Sequence, residues 1–204
     1  MAFIDNLAFS LFSISFAGLL LLYTVTSMYF VYRGKKNDYK DHLQGAMGPM
    51  AVVGAYLILT GLWGQFTWPL PGSYNILFYD PMVAFGLVVL SFALSIKFNV
   101  RLEYAGFLGF LVGIMTILYG LQGYSIGLTQ SPFALLGLYF CYGVAGIFSY
   151  PVSMIADRLP GLKKNPWIGW HICLVLFWLA MLAASLVAGY IGMSAIGGHL
   201  LSAP

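Results

Sequence analysis

The positive charges of this chain are confined to three short clusters that are separated by long apolar stretches. The clusters contain all nine lysines and arginines of the 204-residue sequence: Arg33, Lys35, Lys36 and Lys40; Lys97 and Arg101; and Arg158, Lys163 and Lys164. If the apolar stretches are membrane helices, the clusters occupy every second loop. The positive-inside rule produces such an alternation, because loops rich in Lys and Arg remain in the cytoplasm. The pattern therefore predicts a membrane protein and its topology together.

The composition excludes a water-soluble globular protein. The sequence is 61% hydrophobic and 7% charged, whereas an average soluble domain is roughly 25% charged. At about 20 residues per span, the chain has room for six or seven helices and little else, so we expect a single transmembrane domain over residues 1–204. The net charge of +3 lies beside the apolar stretches, which indicates orientation in a lipid bilayer with anionic headgroups and no nucleic-acid partner.

Apolar runs bounded by helix breakers predict an all-α fold, a polytopic membrane helix bundle of six transmembrane helices. The predicted spans are residues 7–32, 43–64, 81–98, 103–124, 132–155 and 168–193. The first segment lacks the basic residues that precede a secretory signal, so we expect it to remain as a span. Loops 1, 3 and 5 carry the basic clusters, which places both termini outside and predicts an N-out/C-out bundle.

Prolines mark several predicted helix boundaries and interruptions. Three starts place a capping side chain before a proline, at Asp80-Pro81, Ser131-Pro132 and Asn165-Pro166. Pro49 and Pro151 fall within apolar runs, where proline removes a backbone hydrogen bond. We therefore expect spans 2 and 5 to be kinked or locally unwound at these two positions.

Small residues recur at four-residue spacing in three of the predicted spans. This spacing lets apolar helices approach closely in a membrane, where no hydrophobic effect drives them together. The predicted helix-packing residues are Ala105, Gly109 and Gly113 in span 4, Gly137, Cys141 and Ala145 in span 5, and Ala180, Ala184, Ala188 and Gly192 in span 6. These faces contact either neighbouring helices of the chain or other membrane subunits, including a second copy, and the sequence leaves both open.

Loop 2 is the most distinctive segment, because it combines aromatic residues with a Pro-Leu-Pro-Gly turn. One interpretation is an aromatic belt at the depth of the lipid headgroups. The other is a lid over a site, whose polar and aromatic groups are Gln65, Thr67, Trp68, Asn75 and Asp80. We expect an ordered cap on spans 2 to 5, with Trp68 buried and Asp80 capping span 3.

The same segment resembles a known family. The residues that carry the resemblance are Thr60-Gly61-Leu62, Thr67-Trp68-Pro69-Leu70-Pro71-Gly72, Tyr74-Asn75-Ile76 and Pro81 with Ala84-Phe85-Gly86. They look like the signature of the uncharacterised membrane family called domain of unknown function 981, found in archaea and bacteria. The resemblance implies a multi-pass protein of a prokaryotic cell (plasma) membrane with no established activity, and it carries no catalytic residues over to this chain.

Two histidines are the candidate ligands for a cofactor. His42 lies at the start of span 2 and His171 near the start of span 6, at similar depth under the predicted topology. Such a pair can ligate a b-type haem or a metal. His42 follows two charged residues, however, and His171 follows Trp170 as in an interfacial anchor. We therefore predict no cofactor and keep b-type haem as the alternative.

Three functions from different classes agree with these patterns. All six carboxylates lie at span ends or in loops, which argues against a proton-coupled transporter. The sequence contains no P-loop and no HExxH motif, so an enzyme is not expected. We favour a non-enzymatic accessory or scaffold subunit that binds lipids or partner membrane helices. The alternatives are a channel or transporter for a small neutral solute and a haem-binding redox subunit.

Overall fold

The apolar runs fold as long helices. The computed structural model describes residues 6–33, 39–159 and 167–201. Within those ranges the chain forms six α-helices and no strand: α1 Asn6–Arg33, α2 Tyr39–Thr67, α3 Tyr74–Lys97, α4 Leu102–Ser125, α5 Pro132–Arg158 and α6 Ile168–Leu201. Each of these described helices is long and apolar enough to cross a membrane. The predicted all-α bundle of six such helices is confirmed, and its N-out/C-out orientation stays a prediction.

The described helices form a closed ring. Each helix packs against its neighbours in sequence, and α6 closes the ring by packing against α1. The α4–α5 and α2–α3 pairs have the most extensive contacts. We call the end with the α2–α3 and α4–α5 connections the loop-2 end, and the opposite end, where Lys97, Arg101 and Arg158 lie, the basic end.

Glycines allow the backbones of α4 and α5 to touch. A Cβ on Gly113 would lie 2.5 Å from the carbonyl oxygen of Gly143, and one on Gly146 would lie 2.8 Å from the Cα of Gly113. The α2–α3 pair has a similar approach at Gly54, where a Cβ would lie 2.8 Å from the backbone nitrogen of Leu90. Close backbone contact is a principal source of packing energy between apolar helices, so these glycines define the two hairpins.

The helix ends follow ordinary C-capping chemistry. After α3, Asn99 has a φ of +51°, its N–H donates to the carbonyl of Ile96, and the N–H of Val100 donates to that of Ser95. These two bonds form a Schellman motif, which asparagine tolerates because it adopts the left-handed conformation more readily than most residues. After α4, Gly127 takes the equivalent position with a φ of +59°.

The start of α3 differs from the sequence prediction. The helix begins at Tyr74, so Pro81 and Asp80 lie inside it and Asp80 caps nothing. Residues 74–80, which the sequence prediction placed in loop 2, are therefore helical. The helix continues through Pro81 because a hydrogen bond from another helix, described below, replaces the backbone bond that the proline removes. Helices α2 and α5 likewise continue through Pro49 and Pro151 without local unwinding.

The other two helix starts that were predicted at prolines lie at Ser131-Pro132 and Asn165-Pro166. Helix α5 begins at Pro132, as expected, but the side chain of Ser131 makes no capping hydrogen bond. The Asn165-Pro166 pair lies outside the described residues. Helix α6 extends to Leu201, beyond the predicted end at residue 193, and no proline interrupts residues 194–201.

Candidate functional site

Asn75 locks the connection between α2 and α3. This connection is six residues long, 68–73, and Asn75 follows it in the first turn of α3. Its amide nitrogen donates to the carbonyl of Gly64 at 3.0 Å, and its amide oxygen accepts from the backbone N–H of Leu70 at 3.2 Å. With 1% of its surface exposed, Asn75 fills the space below the turn and ties it to α2. A cap that extends over spans 4 and 5 stays a prediction.

Trp68 and Thr67 do not take part in this packing. Trp68 is 51% exposed, which corrects the expectation that it would be buried. It has a φ of +51° and ends α2 through a bond from its N–H to the carbonyl of Gly64. The left-handed conformation costs a bulky residue about 1–2 kcal/mol. Thr67 is exposed, and its hydroxyl donates within α2 to the carbonyl of Trp63.

Asp80 joins three helices at the loop-2 end. Its Oδ1 accepts a hydrogen bond from the side-chain amide of Gln65 on α2, at 2.8 Å. Its Oδ2 accepts one from the hydroxyl of Tyr119 on α4, also at 2.8 Å. Hydrogen bonds to a carboxylate are among the stronger ones in proteins. Both oxygens are therefore used to hold α2, α3 and α4 together.

Tyr139 supplies the hydrogen bond that Pro81 removes from α3. Proline has no N–H, so the carbonyl of Leu77, four residues earlier, lacks its helical partner. The hydroxyl of Tyr139 on α5 donates to this oxygen at 2.5 Å. Sequence analysis missed both Tyr119 and Tyr139. The free carbonyl before Pro81 was the available signal, but it does not reveal which helix carries the donor.

An apolar cavity of about 120 Å³ lies inside the ring. All six described helices contribute side chains to its wall, including Met28, Met50, Phe85, Val112, Ala145 and Phe177. The hydroxyl groups in the described lining donate to backbone carbonyls and belong to Thr24, Thr116, Tyr139, Tyr142, Ser149 and Ser153. Their hydrogens are therefore already engaged, within one helix or between two, and the wall suits an apolar occupant.

The two candidate histidine ligands are in different situations. His171 is partly exposed, and its ring lies 5.1 Å from that of Trp170 and 6.3 Å from that of Tyr29. This aromatic cluster joins α6 to α1. His42 lies on α2, but its side chain is outside the described residues. Among the residues that the structure describes, no group of three His, Cys, Asp or Glu side chains has the arrangement of a metal site.

Most of the predicted packing residues lie within the bundle. Ala105, Gly109, Gly113, Ala145, Ala184, Ala188 and Gly192 are buried, and Ala180 and Cys141 are partly buried. Gly192 contacts α1, where a Cβ would lie 3.1 Å from the carbonyl oxygen of Ala8. Gly137 is exposed and has nothing within 4 Å of an added Cβ, because α5 turns Leu138 and Tyr139 inward instead.

Comparison with known proteins identifies the family of the chain. A model of the family described as "Protein of unknown function (DUF981)" matches residues 1–202. Searches of curated proteins and of solved structures returned no match. The match covers the six described helices and the connection ordered by Asn75. The chain therefore belongs to the DUF981 family, as its resemblance to that family predicted.

Proposed function

We propose that this protein is a non-enzymatic accessory or scaffold subunit of a prokaryotic cell membrane, where it binds lipids and a partner membrane helix. The proposal rests on one observation: the polar side chains at the loop-2 end form hydrogen bonds within the protein itself. Gln65, Asn75, Asp80, Tyr119 and Tyr139 all bond to other parts of the chain. Groups engaged in this way stabilise a rigid bundle and are poorly placed for chemistry on a substrate.

The outer face of α2 is the best candidate for contact with a partner helix. Helix α2 is the least buried of the six described helices. Val52, Leu59 and Phe66 are spaced by seven residues and are 71%, 67% and 85% exposed. Residues at this spacing lie on one helix face, the arrangement of a helix–helix contact stripe. This face supports the partner-binding part of the proposal.

A photo-crosslinking amino acid at Leu59 tests this proposal in native membranes. We expect a protein adduct of discrete mass at position 59 and only lipid adducts at Leu118, a matched control that is 55% exposed on α4. Lipid adducts alone at both positions would remove the partner-binding role. An absorbance spectrum of the purified protein tests the redox alternative, which requires a Soret band that is lost in both His42→Ala and His171→Ala.

A channel for a small neutral solute is the second candidate, because the cavity runs along the bundle axis. The hydroxyl groups of the cavity wall disfavour a channel, because they already donate to backbone carbonyls. A polar solute would lose its hydrating water without gaining hydrogen-bond donors from the wall. Liposomes that contain the purified protein provide the test. Swelling in glycerol or urea at a rate above that of empty liposomes would favour the channel, whereas equal rates are expected for the accessory subunit.

A further inference from the structure

A small polar recess adjoins the apolar cavity at the basic end. Its volume is about 40 Å³, and its polar lining consists of Gln44, Ser95, Asn99 and Asp157. Leu43, Ile96 and Leu102 line both the recess and the cavity. The two spaces therefore adjoin, and the recess forms a polar mouth beside one end of the apolar interior.

The mouth is held in place by the start of α4. Asp157 on α5 accepts a hydrogen bond from the backbone N–H of Glu103 at 2.9 Å and so caps α4. The carboxylate of Glu103 accepts a bond of 3.1 Å from Arg101, and this bond raises the pKa of Arg101. The recess is thus lined by a carboxylate, two amides and a hydroxyl, within an arrangement fixed by helix capping.

The cavity has the length and the volume for a hydrocarbon chain. On α5 its lining extends from Leu138 to Ala156, a rise of about 27 Å at 1.5 Å per residue. The hydrocarbon layer of one leaflet is about 15 Å thick. A buried water needs about 10–15 Å³ of cavity volume, so 120 Å³ holds on the order of ten water-sized groups such as methylenes.

Hydrogen bonds tie the helices together at the loop-2 end of the cavity. Its lining there includes Phe78, Leu138 and Tyr139, and the bond from Tyr139 to the Leu77 carbonyl ties α5 to α3 at this level. The Asp80 network joins α2, α3 and α4 at the same end. An apolar cavity with a polar recess beside its opposite end has the geometry of a site for an amphipathic ligand.

We propose that the interior of the ring binds a single-chain lipid with a neutral, hydroxyl-bearing headgroup. Its hydrocarbon chain fills the central cavity, and its headgroup occupies the recess between Ser95 and Asp157. The inference rests on the lipid-binding part of the proposed function and identifies the class of lipid and its place. It does not require the partner helix on α2.

The charges around the recess favour a neutral headgroup. A carboxylate headgroup would face Asp157, which lines the recess. An ammonium headgroup would enter among Lys97, Arg101 and Arg158, which lie close to the lining residues in sequence. Hydroxyl groups avoid both repulsions and donate to the carboxylate and amide oxygens of the wall. A monoacylglycerol is the simplest lipid with this chemistry.

Photolabelling of the purified protein in detergent tests the site. The probe is monodecanoylglycerol with a diazirine at the end of its chain, and adducts are mapped by mass spectrometry. We expect adducts on cavity-lining residues of α3 and α5. Val88→Phe narrows the cavity and should reduce labelling by about tenfold, because displacing about two methylene groups costs that much binding. Val175→Phe, the same change at an exposed position on α6, should leave labelling unchanged.

Two further arms keep the test decisive. If Val88→Phe does not fold, Phe92→Ala provides a second variant. It removes a large side chain from the wall, which enlarges the cavity and should increase labelling. Decanoic acid with the same diazirine should label weakly, and Asp157→Asn should raise its labelling, because the amide retains an acceptor for Glu103 but removes the repelling charge. Adducts confined to exposed residues, or equal labelling of the Val88 and Val175 variants, would overturn the proposal. Since this assay uses no native membrane, its failure is distinct from loss of the Leu59 adduct.

Discussion

The hydroxyl of Tyr139 donates a 2.5 Å hydrogen bond to the carbonyl of Leu77, the carbonyl that Pro81 leaves without a helical donor. Tyr139→Phe removes this donor and leaves a buried oxygen unpaired. We expect the free energy of unfolding in detergent to fall by about 1 kcal/mol, as for an average hydrogen bond between membrane helices.

A double-mutant cycle with Pro81→Ala separates this bond from general packing. Alanine restores an N–H at position 81, so the Leu77 carbonyl regains its partner within α3. Tyr139→Phe should then cost clearly less in the Pro81→Ala background than in the native chain. Equal costs in the two backgrounds would show that the hydroxyl does not compensate for the proline.

The Asp80 network predicts a graded series of stabilities. Asp80→Ala removes the acceptor for Gln65 and Tyr119, and we expect a loss of about 2 kcal/mol. Asp80→Asn retains one acceptor oxygen and should lose less. Gln122→Ala, at an exposed position on α4, is the control and should leave thermal unfolding in detergent unchanged. If Asp80→Ala unfolds at the same temperature as the control variant, the network does not stabilise the protein as proposed.

The positions of the helices were predictable because membrane helices leave strong signals in sequence. Hydrophobic length and the placement of Lys and Arg indicated all six described helices. The start of α3 was not predictable from local rules, which treat Asp80-Pro81 as a helix start. The deciding contact is the bond from Tyr139, which lies far along the chain and depends on how α3 and α5 pack.

The candidate site shows the same division between local and long-range information. The polar composition of the loop-2 segment predicted a lid or site that includes Gln65, Asn75 and Asp80. The structure shows these three residues in hydrogen bonds within the chain, and their part in a site stays a prediction. Their partners, Gly64 on α2 and Tyr119 on α4, depend on how the helices pack and were not identified. The cavity was also not foreseen, because its wall combines apolar residues from all six described helices, and such residues look alike in a membrane sequence.

Two glycines predicted to pack should respond differently to the same substitution. A Cβ on Gly113 would meet the backbone of α5 at 2.5 Å, whereas one on Gly137 meets nothing within 4 Å. Gly113→Ala should therefore destabilise the α4–α5 pair by about 1–3 kcal/mol through overpacking, and Gly137→Ala should leave stability unchanged or slightly raised. Thermal unfolding of the two variants in the same detergent gives the comparison, and equal melting temperatures would argue against backbone contact at Gly113.

The orientation of the bundle is open to a direct labelling test. Reversing it would place the three basic clusters on the translocated side, against the strong preference for Lys and Arg in cytoplasmic loops. In a background without Cys141 and Cys173, cysteines at Asn37 and Leu162 should resist a membrane-impermeant maleimide added to intact cells. Cysteines at Ser73 and Leu128, in the loops without Lys or Arg, should react. The reverse pattern would invert the topology and place the polar mouth of the cavity on the outer side.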